Sequence, residues 1–112
     1  MLKNRQNTTR VEWSAGCFSW QLIDDKKVSI KMEEIYPGGR SDTHFHTKSI
    51  QFFFILEGEA SFSLEDTQFD LKKHDGLEIP LNKKHQIINS GENNLIFLLI
   101  SFPPVQEDDI RV

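Results

Sequence analysis

Short runs of apolar and β-branched residues, each ended by a turn signal, fill most of this chain. In one of them Val28, Ile30 and Met32 alternate with polar residues, which is typical of a half-buried strand. Glycine, proline or polar clusters separate the runs, and no segment shows a convincing helical period. About nine or ten short strands at such close spacing predict an all-β sandwich or barrel.

Composition divides the chain into three segments. Residues 1–10 are polar and lack an apolar period, so we predict a flexible N-terminal arm. Residues 11–104 contain all the predicted strands and form a single barrel domain, because 112 residues suffice for one hydrophobic core. Residues 105–112 are acidic and are predicted to form a C-terminal tail on the surface.

Charge and hydropathy exclude several classes of partner. The formal net charge is −4 with both signs interspersed, which argues against nucleic acid. No apolar run approaches the roughly 20 residues that a membrane helix needs, and the N-terminus lacks a secretory signal. The single cysteine, Cys17, excludes an internal disulfide and is interpreted as a small apolar core residue. These features predict a protein of the reducing cytoplasm.

The stretch from Gly38 to Gly58 carries the residues with the most specific chemistry. His44 and His46 are one residue apart, so on an extended strand both imidazoles point to the same face. The polar segment 47–49 is a plausible turn that brings Gln51, five residues after His46, back to that face. A later stretch supplies another isolated histidine, His85.

The spacing of these residues resembles the first motif of the cupin superfamily. That motif is a glycine, five residues, His-x-His, three or four residues, a glutamate, six residues and a second glycine. Gly38, His44, His46 and Gly58 fit these positions, and Gln51 stands in place of the glutamate.

The second cupin motif is matched in part by the stretch around His85. Pro80, His85 and Asn89 fit its proline, histidine and asparagine, whereas His74 and Asn82 replace its two glycines. The resemblance implies a small jelly-roll barrel with a metal site in its mouth. His74 itself is interpreted as an exposed turn residue.

The resemblance further implies one divalent transition metal ion (Zn, Ni, Mn or Fe) held by His44, His46, His85 and Gln51. Neutral imidazole is the commonest ligand for such ions. Gln51 is either a fourth ligand or a hydrogen-bonding partner of a bound water. For the three histidines, the alternative is that they are polar residues of the barrel mouth without metal. An amide ligand leaves the metal with its full 2+ charge. It also removes the two-histidine, one-carboxylate triad of many non-haem iron oxygenases.

Strand parity predicts an apolar outer surface. If Gln51 faces the barrel lumen, then Phe53 and Ile55 do too, and Phe52, Phe54 and Leu56 face outward. Residues 95–102 are apolar on both faces, which predicts a strand buried on both sides. Either a second strand layer of the same chain or a second copy covers these residues, and we expect a homodimer.

Two hypotheses about function remain open from the sequence. The first is a metal-dependent enzyme of the isomerase, tautomerase or lyase type that acts on a small oxygenated or sugar-derived molecule. The second is a non-catalytic module that binds a small ligand or metal, and a non-haem dioxygenase is less favoured than either. An enzyme needs an acid or base near the metal. Asp42, Glu78 and Tyr36 are the candidates nearest to the motifs in sequence.

Overall fold

The computed structural model describes residues 1–112 and contains eleven strands and one short 3₁₀ helix. The strands are β1 (Arg10–Ser14), β2 (Cys17–Asp24), β3 (Ser29–Ile35), β4 (Phe45–His46), β5 (Ile50–Glu57), β6 (Ala60–Leu64), β7 (Thr67–Leu71), β8 (Gly76–Ile79), β9 (His85–Ile88), β10 (Leu95–Phe102) and β11 (Ile110–Arg111). The 3₁₀ helix spans Glu107–Asp109. The prediction of an all-β fold is confirmed.

The strands form one large and two small antiparallel sheets. The large sheet has the order β1-β2-β3-β10-β5-β8, and the smaller sheets have the orders β7-β6-β9 and β11-β4. Strands far apart in sequence lie side by side, such as β3 with β10 and β6 with β9, as in a jelly roll. Phe53 and Phe97 of the large sheet and Phe62 and Ile87 of the three-stranded sheet belong to one buried core. No helix has the length and apolar character that a membrane crossing requires.

The register of β10 determines which side chains face the interior together. This strand pairs with β3 on one side and β5 on the other, so residues of three strands align in rows across the sheet. The three inward rows are Ser29–Ser101–Gln51, Lys31–Leu99–Phe53 and Glu33–Phe97–Ile55. The inward face of the large sheet therefore combines polar and apolar side chains, and the row at one end is entirely polar.

The opposite face of the large sheet is apolar and only partly covered. Phe52 and Phe54 are half-buried and alternate with buried residues, which confirms the predicted parity of β5. In β10, Leu98 and Ile100 are also only half-buried, so this chain alone does not bury both sides of the strand, and burial by a second copy stays a prediction. The N-terminal segment packs over β2 and β3 on this face, where the Arg5 guanidinium lies 4.7 Å from the Trp20 ring centroid and Arg5 Nε lies 3.5 Å from Met32 Sδ.

The C-terminal segment is mostly exposed, but it pairs with β4 and buries one of its side chains. Ile110 pairs with His46 in a short ladder between β11 and β4. Asp109 is only 1% exposed, whereas its neighbours in the 3₁₀ helix are exposed. The Asp109 carboxylate is buried because it accepts hydrogen bonds from the Thr47 amide at 2.8 Å, the Thr47 hydroxyl at 2.7 Å and the Lys48 amide at 3.1 Å.

Candidate metal centre

Three histidines from two segments meet at one point in the barrel. The backbones of His44 and His85 pair directly, with N–O distances of 3.1 and 2.9 Å. The ring of His46 lies 5.0 Å from that of His44 and 5.5 Å from that of His85, between centroids. One ring nitrogen from each histidine falls within 4.8 Å of the others. The sequence prediction that these residues converge is confirmed.

The other ring nitrogen of each histidine is held by a backbone carbonyl. Because a carbonyl oxygen only accepts, each Nδ1 must carry the proton, and each Nε2 is left with its lone pair. Nδ1 of His44 donates to the Asp42 carbonyl oxygen at 2.7 Å. Nδ1 of His46 donates to the Asp109 carbonyl oxygen at 3.2 Å, and Nδ1 of His85 donates to the Lys83 carbonyl oxygen at 3.0 Å. All three imidazoles are thus fixed in the tautomer that presents Nε2 to a ligand.

Gln51 presents an oxygen in the same environment. Its Nε2 donates a hydrogen bond of 3.1 Å to the Ser101 hydroxyl, which leaves Oε1 as the free end of the amide. The turn at residues 47–49 brings Gln51 and His46 into the lining of one cavity, as the sequence predicted. The Gln51 side chain lies near the His46 imidazole and tends to raise its pKa, against the larger opposite effect of burial.

Three buried polar atoms of this cluster have no hydrogen-bond partner. They are Nε2 of His46, Nε2 of His85 and Oε1 of Gln51. A buried unpaired donor or acceptor costs roughly 1–3 kcal/mol, so such atoms are rare in folded proteins. All three are electron-pair donors, and a metal cation is the partner that would satisfy them together. The residues present therefore fit a transition metal ion.

Burial also keeps the imidazoles in the form that binds metals. Loss of solvent lowers the pKa of His46 below its usual value, and the same effect lowers the pKa of His85 from 6.5 to about 4. Both rings are therefore neutral at pH 7. Only a neutral imidazole offers a lone pair to a metal, so the folded protein supplies these ligands without first releasing protons.

Asp109 supports this cluster from the C-terminal segment. Burial tends to raise the pKa of its carboxyl group, but hydrogen bonds from Thr47 and the Lys48 amide outweigh burial, and the pKa is lowered. The carboxylate therefore stays charged and fixes the turn that follows His46. Its own backbone carbonyl accepts the bond from His46 Nδ1. Sequence reasoning missed this residue, since nothing in the local pattern distinguishes it from the acidic residues beside it.

A cavity of about 520 Å³ opens next to the cluster. His44, His46, Gln51 and Phe53 contribute to its lining. Inward residues of β2 and β3 form a polar wall of the same cavity, consisting of Ser19, Gln21, Ser29, Lys31 and Glu33. The mouth is more apolar, with the partly exposed side chains of Val11, Trp13 and Ile110. The cavity thus offers polar groups inside and apolar groups at its entrance.

Glu33 is the buried carboxyl group in this cavity. It is 7% exposed and forms no ion pair. Burial raises its pKa from 4.5 to about 7, and the charge of Lys31 offsets only part of this effect. The three acid–base candidates chosen from the sequence do not line this cavity. Asp42 and Glu78 are exposed, and Tyr36 is 41% exposed.

Comparison with known proteins agrees with the fold. The chain is 35% identical over 81 residues to the uncharacterized protein MJ1618 of Methanocaldococcus jannaschii, a match that covers 71% of this chain and 65% of the relative. The chain spans less than two thirds of the length of the curated relatives it matches. Among solved structures, KdgF from Halomonas sp. superimposes with a TM-score of 0.85 at 14% identity, covering 94% of both chains.

A second solved structure shows the same fold. A predicted oxalate decarboxylase from Thermotoga maritima has a TM-score of 0.82 at 21% identity, with 93% of this chain and 100% of the other covered. Residues 31–101, which include the three histidines and Gln51, match the sequence family described as Cupin domain. With this match and the jelly-roll topology, the chain belongs to the cupin family.

Proposed function

We propose that this protein binds one divalent transition metal ion through His44, His46 and His85, with the Gln51 amide oxygen as fourth ligand. We further propose that it is a metal-dependent enzyme of the isomerase, tautomerase or lyase type. The observation that carries the proposal is the convergence of buried, unpartnered electron-pair donors beside a polar cavity. A structural cluster would instead pair these atoms within the protein.

When bound, the ion supplies a Lewis acid for an oxygen atom of the ligand. The protein ligands carry no charge in this set, because an imidazole that donates its lone pair to a metal is neutral and Gln51 is an amide. The centre therefore retains its full positive charge and favours a carboxylate or another electron-rich oxygen. Zn, Ni, Mn and Fe all accept nitrogen and oxygen ligands of this kind.

The polar wall of the cavity selects the rest of the ligand. Ser19, Gln21 and Ser29 offer hydroxyl and amide groups, and Lys31 offers a positive charge. Such a lining suits a small, oxygen-rich molecule with hydroxyl groups, for example a sugar-derived acid. The Thermotoga maritima protein is described as a predicted oxalate decarboxylase, and this similarity of fold makes lyase chemistry on a small acid a reasonable class to test.

Metal content tests the first half of the proposal. We expect purified protein to hold one ion per chain and the double variant His44→Ala, His46→Ala to hold none. His74→Asn is the matched control, because His74 is exposed and has a φ of 74° that asparagine tolerates. Stoichiometric metal in the double variant, with the control unchanged, would show that the ion is bound elsewhere.

Turnover tests the second half. Metal-loaded protein is incubated with a panel of small hydroxy, keto and sugar acids, and the products are followed by NMR. Conversion that disappears with the His44→Ala, His46→Ala variant supports an enzyme. Saturable binding of a panel member without any conversion supports the alternative, a non-catalytic cupin that binds a small ligand.

We also propose that the protein is a cytoplasmic homodimer. Phe52, Phe54, Leu98 and Ile100 lie opposite one another on β5 and β10 and form a half-buried apolar surface. The surface carries no charge of its own, so a second copy of the same surface is a suitable partner. The single, buried cysteine and the lack of a disulfide suit a reducing compartment.

A further inference from the structure

Strand β3 faces the cavity with its polar side. Ile30 and Met32 lie on the outer, partly covered face, whereas Ser29, Lys31 and Glu33 line the cavity. A barrel packed for stability alone would reverse this arrangement, because apolar side chains gain most from burial. The inward polar side of β3 therefore requires another explanation.

Of these inward polar residues, Glu33 is the one whose burial is least favourable in free energy. Its carboxyl group is buried in a row with Ser19 and Phe97 and has no arginine or lysine within ion-pair distance. Burial of a carboxylate without a partner is unfavourable, and an apolar residue of similar size would stabilise the fold more. Carboxyl groups kept in such surroundings inside a cavity are characteristic of functional sites.

We propose that Glu33 is the acid–base group of this cavity, and that it moves a proton on a small carboxylate with a carbonyl or hydroxyl group on the adjacent carbon. The inference rests on the proposed function, since it needs an oxygen of the ligand to be held at the histidine cluster. Glu33, His44, His46 and Gln51 come from different segments of the chain but border one cavity. A ligand that fills about 520 Å³ can contact both sides.

The proton transfer is balanced without any further reactant. The Glu33 carboxylate takes the proton from the carbon next to the carbonyl group, and the C–H electron pair becomes the C=C bond of an enolate as the carbonyl π pair moves to oxygen. Return of the proton to the same carbon restores the ligand. Where the deprotonated carbon carries a hydroxyl group, that hydroxyl proton moves to the enolate oxygen, and return of the first proton to the former carbonyl carbon then gives the isomer.

The charged groups around Glu33 permit both of its protonation states near neutrality. Lys31, Asp24, His44 and His46 border the same cavity, and the negative charge of Glu33 contributes to the raised pKa of the buried Cys17 thiol. With a pKa of about 7, Glu33 exists as acid and as base in similar amounts at neutral pH. This is the condition under which a proton-transferring group is most efficient.

Deuterium exchange into 2-keto acids tests the inference. Metal-loaded wild-type protein is mixed with 2-ketogluconate in D₂O, and NMR follows the hydrogens on the carbon next to the carbonyl group. We expect exchange above the rate of free metal, increasing with pH to a plateau as Glu33 loses its proton, because burial raises the pKa of this group. Glu33→Gln should slow exchange about 100-fold or more. Glu34→Gln, a change on the other face of β3, should leave the rate unaltered.

Ligand binding is measured on the same samples through the line broadening that Mn²⁺-loaded protein produces. Broadening by wild type and by Glu33→Gln, with exchange lost only in that variant, supports the inference. Broadening in both with equal exchange rates overturns it, and so does broadening without exchange in wild type. Broadening that is missing in wild type, or metal that fails to bind, refutes the proposed function and removes the basis of the inference, so the two failures are distinguishable.

Discussion

The buried carboxyl group of Glu33 predicts an unusual dependence of stability on pH. Replacement of Glu33 by glutamine keeps the size and polarity of the side chain but removes its titration. In the wild-type protein, folding shifts the pKa of this group from 4.5 to about 7 because burial disfavours the charged form. Between these two pH values the folded state binds more protons than the unfolded state. By linkage, the wild-type free energy of unfolding must fall as pH rises through this window.

The expected magnitude follows from the same two values. The difference between pKa values of 4.5 and about 7 corresponds to about 3 kcal/mol of destabilisation of the folded wild-type protein. This destabilisation is absent below pH 4.5 and fully present above pH 7. Glu33→Gln should therefore gain up to about 3 kcal/mol relative to wild type between pH 4.5 and pH 8. For a chain of this length, such a gain in the free energy of unfolding raises Tm by about 10 °C. The buried histidine His85 titrates equally in both proteins, so its contribution cancels in the difference.

Urea denaturation of metal-free protein at pH 4.5, 6, 7 and 8 measures this difference. Glu34→Gln is the control, because Glu34 lies on the outer face of β3, where it accepts a hydrogen bond from Asn94 at 3.2 Å. The difference between Glu33→Gln and wild type should increase with pH, whereas that for the control should not. Parallel curves for wild type and Glu33→Gln would show that the carboxyl group of Glu33 is hydrated or paired in solution.

Three further predictions concern the metal ligand, the C-terminal segment and the outer face. Gln51→Glu changes the charge of the centre by one unit. The attraction between one unit of charge at the centre and a bound anion 4 Å away is at most about 4 kcal/mol. Loss of even a quarter of this attraction weakens oxalate binding about fivefold, which calorimetric titration measures. Unchanged oxalate affinity together with a large loss of Tm would show that Gln51 is not part of the centre. Asp109→Asn should lower the unfolding free energy by about 2 kcal/mol and metal affinity about tenfold; an equal effect of Asp108→Asn, at an exposed neighbour, would contradict this role. Phe54→Glu should convert a dimer into a monomer in light scattering, and a wild-type monomer at tens of micromolar would disprove the dimer.

The sequence was sufficient for those parts of the structure that depend on local pattern. Strand parity alone gave the inward facing of Gln51, Phe53 and Ile55, because side chains of a strand alternate whatever the strand packs against. The convergence of His44 and His46 follows from the same rule. The turn at residues 47–49 was predictable from its polar residues, and it restores the facing of Gln51.

The sequence failed where facing depends on what fills the barrel. The alternation in β3 correctly predicts a half-buried strand, but the usual interpretation turns Ile30 and Met32 to the core. In a barrel with a polar cavity the lumen is the side that needs polar groups, so Lys31 and Glu33 face inward instead. Period-two alternation cannot distinguish these two cases, which is why Glu33 was missed as a candidate.

The role of Asp109 was hidden for a different reason. Its contacts with Thr47 and His46 join residues 62 and 63 positions apart in sequence. Such long-range hydrogen bonds depend on the three-dimensional path of the chain, and no local motif encodes them. A run of acidic residues at the C-terminal end is ordinarily a solvated surface segment, and here only one of the three carboxylates is buried.

Gln51 and Glu33 together explain how this barrel arranges charge. The usual cupin glutamate would place a carboxylate directly at the metal, where its charge would be neutralised and it could not serve as a free base. In the proposed centre the amide of Gln51 takes that position, and the one buried carboxyl group among the cavity residues is on β3 instead. This separation would leave the metal more positive, which favours an anionic ligand, and would leave Glu33 free to exchange protons. A ligand anion bound between them would further favour the protonated form of Glu33, since like charges repel across a poorly solvated cavity. In the proposed mechanism, binding of the ligand would therefore also raise the pKa of the acid–base group.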